Sequence, residues 1–245
     1  IEGNSRFIES NALPNHATGE FPNDGNPNTI SEQDATYEFT LSPVYTGNAT
    51  FAREPGVAVN GVKFEPQTAE RVTCTSGETY SVEAFQEFLD LGLDFNNAHV
   101  QPNGAYHYHG VSDDLVEFAE SKDDIVHVGF AADGHMMYYS KSNAFSPSYR
   151  LIDTPRTGAS CSLSMGPNSI DGVAIDGSTA DGTYVSDWTY DASVGDLDEC
   201  NGIEIDGQYV YLLTDSYPYI PRCLNGEFTE AAPGGGQPGG QRPPR

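Results

Sequence analysis

The chain of 245 residues is poor in positive charge. It has 11 Lys and Arg against 36 Asp and Glu, a formal net charge of −25. Such a field repels phosphate, which argues against nucleic acid and anionic membrane surfaces as partners. Divalent cations and basic partners stay open. No run of 18 apolar residues occurs, so no membrane-spanning helix is expected. Trp occurs once and Met three times, whereas Gly, Pro, Tyr and Phe number 26, 16, 14 and 12. That mixture suits loop-rich β structure better than packed helices. G-x-S-x-G, H-E-x-x-H, the P-loop and the dinucleotide glycine pattern are all missing, so no common hydrolase or nucleotide signature applies.

There are four cysteines, Cys74, Cys161, Cys200 and Cys223, and no C-x-x-C pair. A thiolate zinc site is therefore disfavoured and two disulfides are expected, with three connectivities open. Cys200 with Cys223 and Cys74 with Cys161 is the favoured pairing. The first residue is Ile1, with no basic-plus-apolar leader, which fits either a trimmed chain or a mature secreted one. Asn48-Ala49-Thr50 is a glycosylation sequon of low specificity.

The expected fold is mainly β: one disulfide-linked, sandwich-like domain with a short helix or two, long loops and extended terminal segments. Residues 1–33 read as an extended polar arm, 34–230 as the β domain and 231–245 as a Gly/Pro-rich tail without core residues. Tyr37, Phe39 and Leu41 alternate as on a half-buried strand. Asn60-Gly61 inside the apolar run 57–64 predicts a hairpin. Val82, Phe85 and Leu89 predict a helix over 81–91, and a second is expected over 113–120. Residues 123–140 read as two strands turning at Asp133-Gly134. Residues 154–182 read as a long loop held by Cys161. Strands are also expected at 183–190 and 208–214.

A faint internal repeat is visible. D-x-x-N, then a turn, then Y-x-Y occurs from Asp94 to Tyr108 and again from Asp198 to Tyr211. In this alignment His99, His107 and His109 stand opposite Ile203, Val210 and Leu212. Chemistry would then belong to the first copy and packing to the second.

Tyr106-His107-Tyr108-His109 is the most informative stretch. On a strand His107 and His109 share one face, about 6–7 Å apart, and the tyrosines share the other. His99 precedes the Asn103-Gly104 turn, which places it across a hairpin from His107. Three neutral imidazoles on adjacent strands suit copper or zinc. A single histidine is more often a hydrogen-bonded core residue; H-x-H with a third histidine across a turn favours a metal. His16, His127 and His135 stand alone, although His135 follows a turn that brings it within reach of a nearby site. Asp171, Asp176 and Asp181, each followed by Gly, are better explained as turns, with calcium as the lesser reading. Asp133 is the one carboxylate nameable as an acid or base beside the histidines.

NAHVQPNGAYHYHG (97–110) resembles the signature of the YHYH-domain proteins. Residues 14–31, 56–66, 128–134, 197–202 and 212–223 resemble other stretches of the same family. The resemblance implies an extracytoplasmic protein with a metal site at the YHYH histidines, and supplies no reaction. It adds weight to His16, His99, His107 and His109, and makes the Cys200–Cys223 pairing a family feature. Cys74 and Cys161 fall outside the family pattern, which supports pairing them with each other. Asn97 stands where many members are expected to have His. A site using that position would be weakened, or rebuilt with His135 and Met136 as softer ligands, and the latter favours copper.

The expected function is a secreted protein that binds copper or zinc rather than turning over a substrate. Its alternatives are a metal-dependent enzyme on the same ligands and a structural subunit self-associating through its arm and tail, braced by metal, with calcium a candidate.

Overall fold

The structure is a computed structural model, and it describes residues 1–165 and 168–229. The expected tail, 231–245, lies outside the described residues. In chain order the first strands are β1 Ser5–Ser10, β2 Ala35–Thr40, β3 Thr50–Phe51, β4 Gly56–Ala58, β5 Lys63–Phe64, β6 Arg71–Cys74, β7 Thr79–Ser81, β8 Ala98–Val100 and β9 Tyr106–Tyr108. The helix α1, Asp113–Phe118, comes next. It is followed by β10 Ile125–Ala131, β11 Met136–Ser140, β12 Tyr149–Leu151, β13 Cys161–Met165 and β14 Asn168–Val173. A 3₁₀ turn, Val185–Asp187, then leads into β15 Trp188–Tyr190, β16 Gly202–Ile205, β17 Gln208–Leu213 and β18 Cys223–Leu224. The fold is mainly β, as the composition implies.

Eight strands form the main sheet in the order β16-β17-β11-β10-β4-β5-β9-β8. A second sheet runs β14-β13-β6-β7. Each has its own core. Phe64, Tyr106, Tyr108, Met137, Tyr211 and Leu213 pack in the first. Val72, Tyr80, Leu163, Ile175 and Tyr184 pack in the second. Both expected disulfides form. Cys74–Cys161 joins residues directly opposite each other on β6 and β13, and Cys200–Cys223 closes a shorter loop.

The main sheet consists of two halves with one plan. In the first, β4 turns at Asn60-Gly61 into β5, which lies parallel to β9, and β8 closes the edge. In the second, β10 turns at Asp133-Gly134 into β11, which lies parallel to β17, and β16 closes the opposite edge. The halves meet antiparallel at β4 and β10, with Phe130 opposite Val57 at the centre. The hydrogen bonds about that point are reciprocal: Val59 N donates to Val128 O, and Ala132 N to Pro55 O. Gly56 and Gly129 occupy matching places. A Cβ on Gly56 would stand 2.4 Å from Phe130 O, and one on Gly129 would stand 2.6 Å from Val57 O. Only glycine allows the backbones this close. β1 and β2 extend the relation. Ser10 rests on Gly61 of the first half, and Thr40 on Gly134 of the second.

Several local expectations need correction. No helix forms over 81–91. Val82 instead bridges to Tyr184, and Glu83 is buried against Arg222, so tertiary partners override the helical spacing. Residues 154–182 are not one loop, because β13 and β14 form a hairpin within them. The arm over 1–33 contains β1, and the stretch after it is bonded to the first half of the main sheet. Asn26 and Asn28 donate to Val100 O, and Ser31 N to Gly104 O.

Candidate metal centre

The hairpin β8–β9 is built by a carboxylate. One oxygen of Asp94 accepts from the backbone N–H groups of Asn96 and Ala98, and the other accepts from Tyr106 Oη. Asn97 takes a left-handed conformation (φ +57°), and its carbonyl accepts from His109 N. Asn and Asp tolerate this conformation best. Asn97 Nδ2 also donates to Val111 O. Asn97 therefore shapes the turn and its side chain is not a ligand. Asp198 and Asn201 repeat the construction in the other half. Asp198 accepts from Cys200 N, Gly202 N and Tyr209 Oη, and Asn201 (φ +59°) accepts from Leu212 N.

This register sets His99 directly across from His107, with His109 two residues along the same face. The three ring centroids form a near-equilateral triangle with sides of 4.7, 4.7 and 4.8 Å. One nitrogen from each ring lies within 4.8 Å of the others, and no other group of three or more potential ligands forms among the described residues. His99 Nδ1 donates to Leu91 O at 2.8 Å, and His107 Nδ1 to Ala105 O at 3.3 Å. These bonds put the proton on Nδ1 and make Nε2 the lone-pair nitrogen of both rings, that of His99 accepting from His109 Nε2–H. Nε2 of His109 lies 3.1 Å from Nε2 of His99. Two ligands on a tetrahedral zinc, each at about 2.05 Å, stand about 3.3 Å apart, so this pair already has ligand spacing.

His107 and His109 are both 2% exposed. Burial pushes the pKa of each well down, and the neighbouring imidazoles and the charge of Lys63 push the same way. Burial also lowers His99, against a bond to Leu91 and the nearby carboxylates Glu70, Glu65 and Asp94. Neutral imidazole is the ligand form. Lys63, opposite His107 on β5, is held by Glu54 at 2.7 Å and Glu65 at 2.9 Å. Nδ1 of His109 is buried without a hydrogen-bond partner.

The other candidate residues lie elsewhere. His16 is on the tyrosine face of β9, where Nδ1 donates to Ala17 O and Nε2 accepts from Tyr108 Oη at 2.5 Å. His135 lies in the second half, on the β10–β11 turn, and donates from Nδ1 to Tyr209 O. Met136 faces that half too, against the cluster of Leu197, Val210 and Leu212. His127 bonds Gly129 O. Asp133 accepts from Tyr211 Oη and Gly226 N, so it is a structural carboxylate of the second half rather than an acid or base beside the trio. Of the loop aspartates, Asp181 pairs with Arg156 and Asp176 accepts from Gly158 N.

The residues missed in the sequence are those around the trio: Leu91, Ala105, Lys63 and Glu65. Carbonyl partners leave no side-chain signal, and Lys63 gave none beyond its place in the hairpin.

The family model described as YHYH protein matches residues 36–226. No curated protein and no solved structure matches the chain.

Proposed function

Since the chain belongs to the YHYH protein family, whose description carries no reaction, we propose that it holds one copper or zinc ion on His99, His107 and His109 and acts as a binder rather than a catalyst. The carrying observation is the convergence of three imidazoles, two buried and one half-buried, whose nitrogens lie within 4.8 Å. Three features support it. The Nδ1 bonds to backbone carbonyls orient two of the rings as they are oriented in histidine metal sites. All-nitrogen donors match borderline metals and suit calcium or magnesium poorly. The second half solves the same packing problem with aliphatic residues, so the fold has no need of imidazoles there. Burial of His107 and His109 leaves little room for a substrate beside the ion, which favours holding over turnover.

Two disulfides and the absence of any membrane-length helix among the described residues fit an oxidising, extracytoplasmic location, where such bonds persist. The test is elemental analysis of protein isolated without chelator, followed by titration of the stripped protein with Cu(I), Cu(II) and Zn(II). One equivalent is expected, lost in the His107→Val/His109→Leu variant. Failure to take up either metal, or uptake that the variant leaves unchanged, overturns the proposal.

A further inference from the structure

One buried histidine outside the trio also lacks a partner. His135 is 6% exposed, and Nδ1 donates to Tyr209 O at 2.9 Å, which leaves the lone pair on Nε2. That Nε2 is buried without a hydrogen-bond partner. The fold does not need a polar ring at this place. His135 follows the turn glycine Gly134; in the first half Val62 follows Gly61 and is fully buried. A buried acceptor of this kind is satisfied only by a donor that the described chain does not supply.

His135 lines a groove of about 890 Å³, together with Tyr45, Asp196, Glu204, Gly207 and Tyr209 among others. Along it runs β16, the last strand of its sheet among the described residues. In the first half the matching hairpin is covered: Asn26 and Asn28 donate to Val100 O, and Ser31 N donates to Gly104 O. Val100 and Gly104 correspond to Glu204 and Gly207. A Cβ on Gly104 would meet Ser31 Oγ at 1.9 Å, whereas one on Gly207 would meet nothing within 4 Å. An open strand edge is a template for an added strand.

The walls fix the charge of the missing donor. Asp196 and Glu204 are exposed in the lining, and its one basic residue, Arg6, is stacked over the ring of Phe130 at 4.2 Å. Anionic ligands are repelled here. A metal ion fits poorly, because among the described residues only His99, His107 and His109 form a group of three potential ligands. A cation that carries its own N–H donors fits every feature. It donates to the imidazole, pairs with the carboxylates, and finds aromatic faces on Tyr45 and Tyr209, whose centroids are 4.5 Å apart. Lysine supplies three such donors on a long apolar stem.

We infer that the groove beside β16 is a docking site for an extended segment of a partner protein, which lies along β16 and gives a lysine side chain to His135 Nε2, Asp196 and Glu204. The second half thereby receives from outside the cover that the first half has from its own residues.

The test is fluorescence anisotropy of the full chain with a fluorescein-labelled peptide, Thr-Val-Lys-Val-Thr with blocked ends. The peptide is expected to bind, and its form with an acetylated lysine to bind about tenfold more weakly or worse. His135→Val leaves the formal charge unchanged and is expected to weaken binding about tenfold, as is Asp196→Asn/Glu204→Gln. The second variant alters exposed side chains only, so it decides the matter if the first does not fold. Amide exchange over residues 203–205 is expected to slow when the peptide is bound. Absence of binding, equal binding of the acetylated peptide, or indifference to the carboxylate changes overturns the inference. Indifference to His135→Val in a folded variant also overturns it, because binding would then belong to the diffuse acidic field. So does binding of the free diamine cadaverine as tight as that of the peptide, because the strand edge would then contribute nothing.

Discussion

At one edge of the main sheet three histidines meet; at the other, Ile203, Val210 and Leu212 take the same three places. The backbones agree in detail. His99 is opposite His107, and Ile203 is opposite Val210. His109 N bonds the carbonyl of Asn97, and Leu212 N that of Asn201. Asp94 and Asp198 organise the two turns through the same set of bonds. The aliphatic trio packs with Leu197 and Met136 and leaves no polar atom to satisfy. The histidine trio instead brings three polar rings together, and the buried Nδ1 of His109 has no partner. Burying polar groups without partners costs stability. That cost, in a place where the same fold accepts hydrocarbon, is the physical argument behind the proposed metal site.

The strongest way to break this comparison is to exchange the trios. Ile203→His, Val210→His and Leu212→His together are expected to create a second site. Metal uptake by elemental analysis should rise from one to two equivalents per chain. The metal-free protein should lose about 4 kcal/mol or more by denaturant titration, because buried hydrocarbon is replaced by polar rings. A chain that folds and still takes one equivalent would separate backbone geometry from metal binding.

The reverse exchange, His99→Ile with His107→Val and His109→Leu, sharpens the comparison through pH. All three histidines have folded-state pKa values below the unfolded value of about 6.5. The unfolded chain therefore binds more protons below that value. Metal-free protein should keep this contribution above pH 6.5 and lose it as pH falls toward the depressed values, by up to about 1.4 kcal/mol per pH unit for each histidine. The exchanged variant should lack this component and gain about 1–2 kcal/mol at neutral pH. Thermal melts between pH 7.5 and 5 would decide; equal acid sensitivity in both proteins would assign it to the carboxylates instead.

The smallest difference is expected at the turn carboxylates. Asp94→Asn and Asp198→Asn should each cost about 1–2 kcal/mol, since each removes charge-assisted bonds to a turn and a tyrosine. Only Asp94→Asn should also weaken metal binding, about tenfold, because only that hairpin carries the proposed ligands. Matched stability losses with unmatched affinities would confirm that the plan is shared and the chemistry is not.

Much of this was legible in the sequence, and the reason lies in the range of the interactions. Asn60-Gly61, Asp133-Gly134 and the hairpin that pairs His99 with His107 are set by turns a few residues long, and the pattern marks them. The D-x-x-N repeat was visible because its aspartate and asparagine bond their own backbone. The relation between β4–β5 and β10–β11 was not, since VAVNGVKF and FAADGHMM keep little beyond a turn and a place in the sheet. His16 and His135 were grouped with the trio because sequence gives no measure of which face or edge a distant histidine reaches. The spacing of Val82, Phe85 and Leu89 pointed to a helix, but the bridge from Val82 to Tyr184 and the burial of Glu83 against Arg222 decide that segment from across the molecule.

The seam between β4 and β10 has a consequence for how the halves can change. It has the symmetry of a twofold dimer interface: Gly56 faces Ala131 as Gly129 faces Ala58, and only the position on the axis faces its own counterpart. At the centre those counterparts are Val57 and Phe130, one small and one large. Were both to grow they would collide, and were both to shrink they would leave a void. The two halves are thus free to diverge at the outer edges, where one gathered histidines and the other hydrocarbon, while at the seam neither can alter its volume without the other answering.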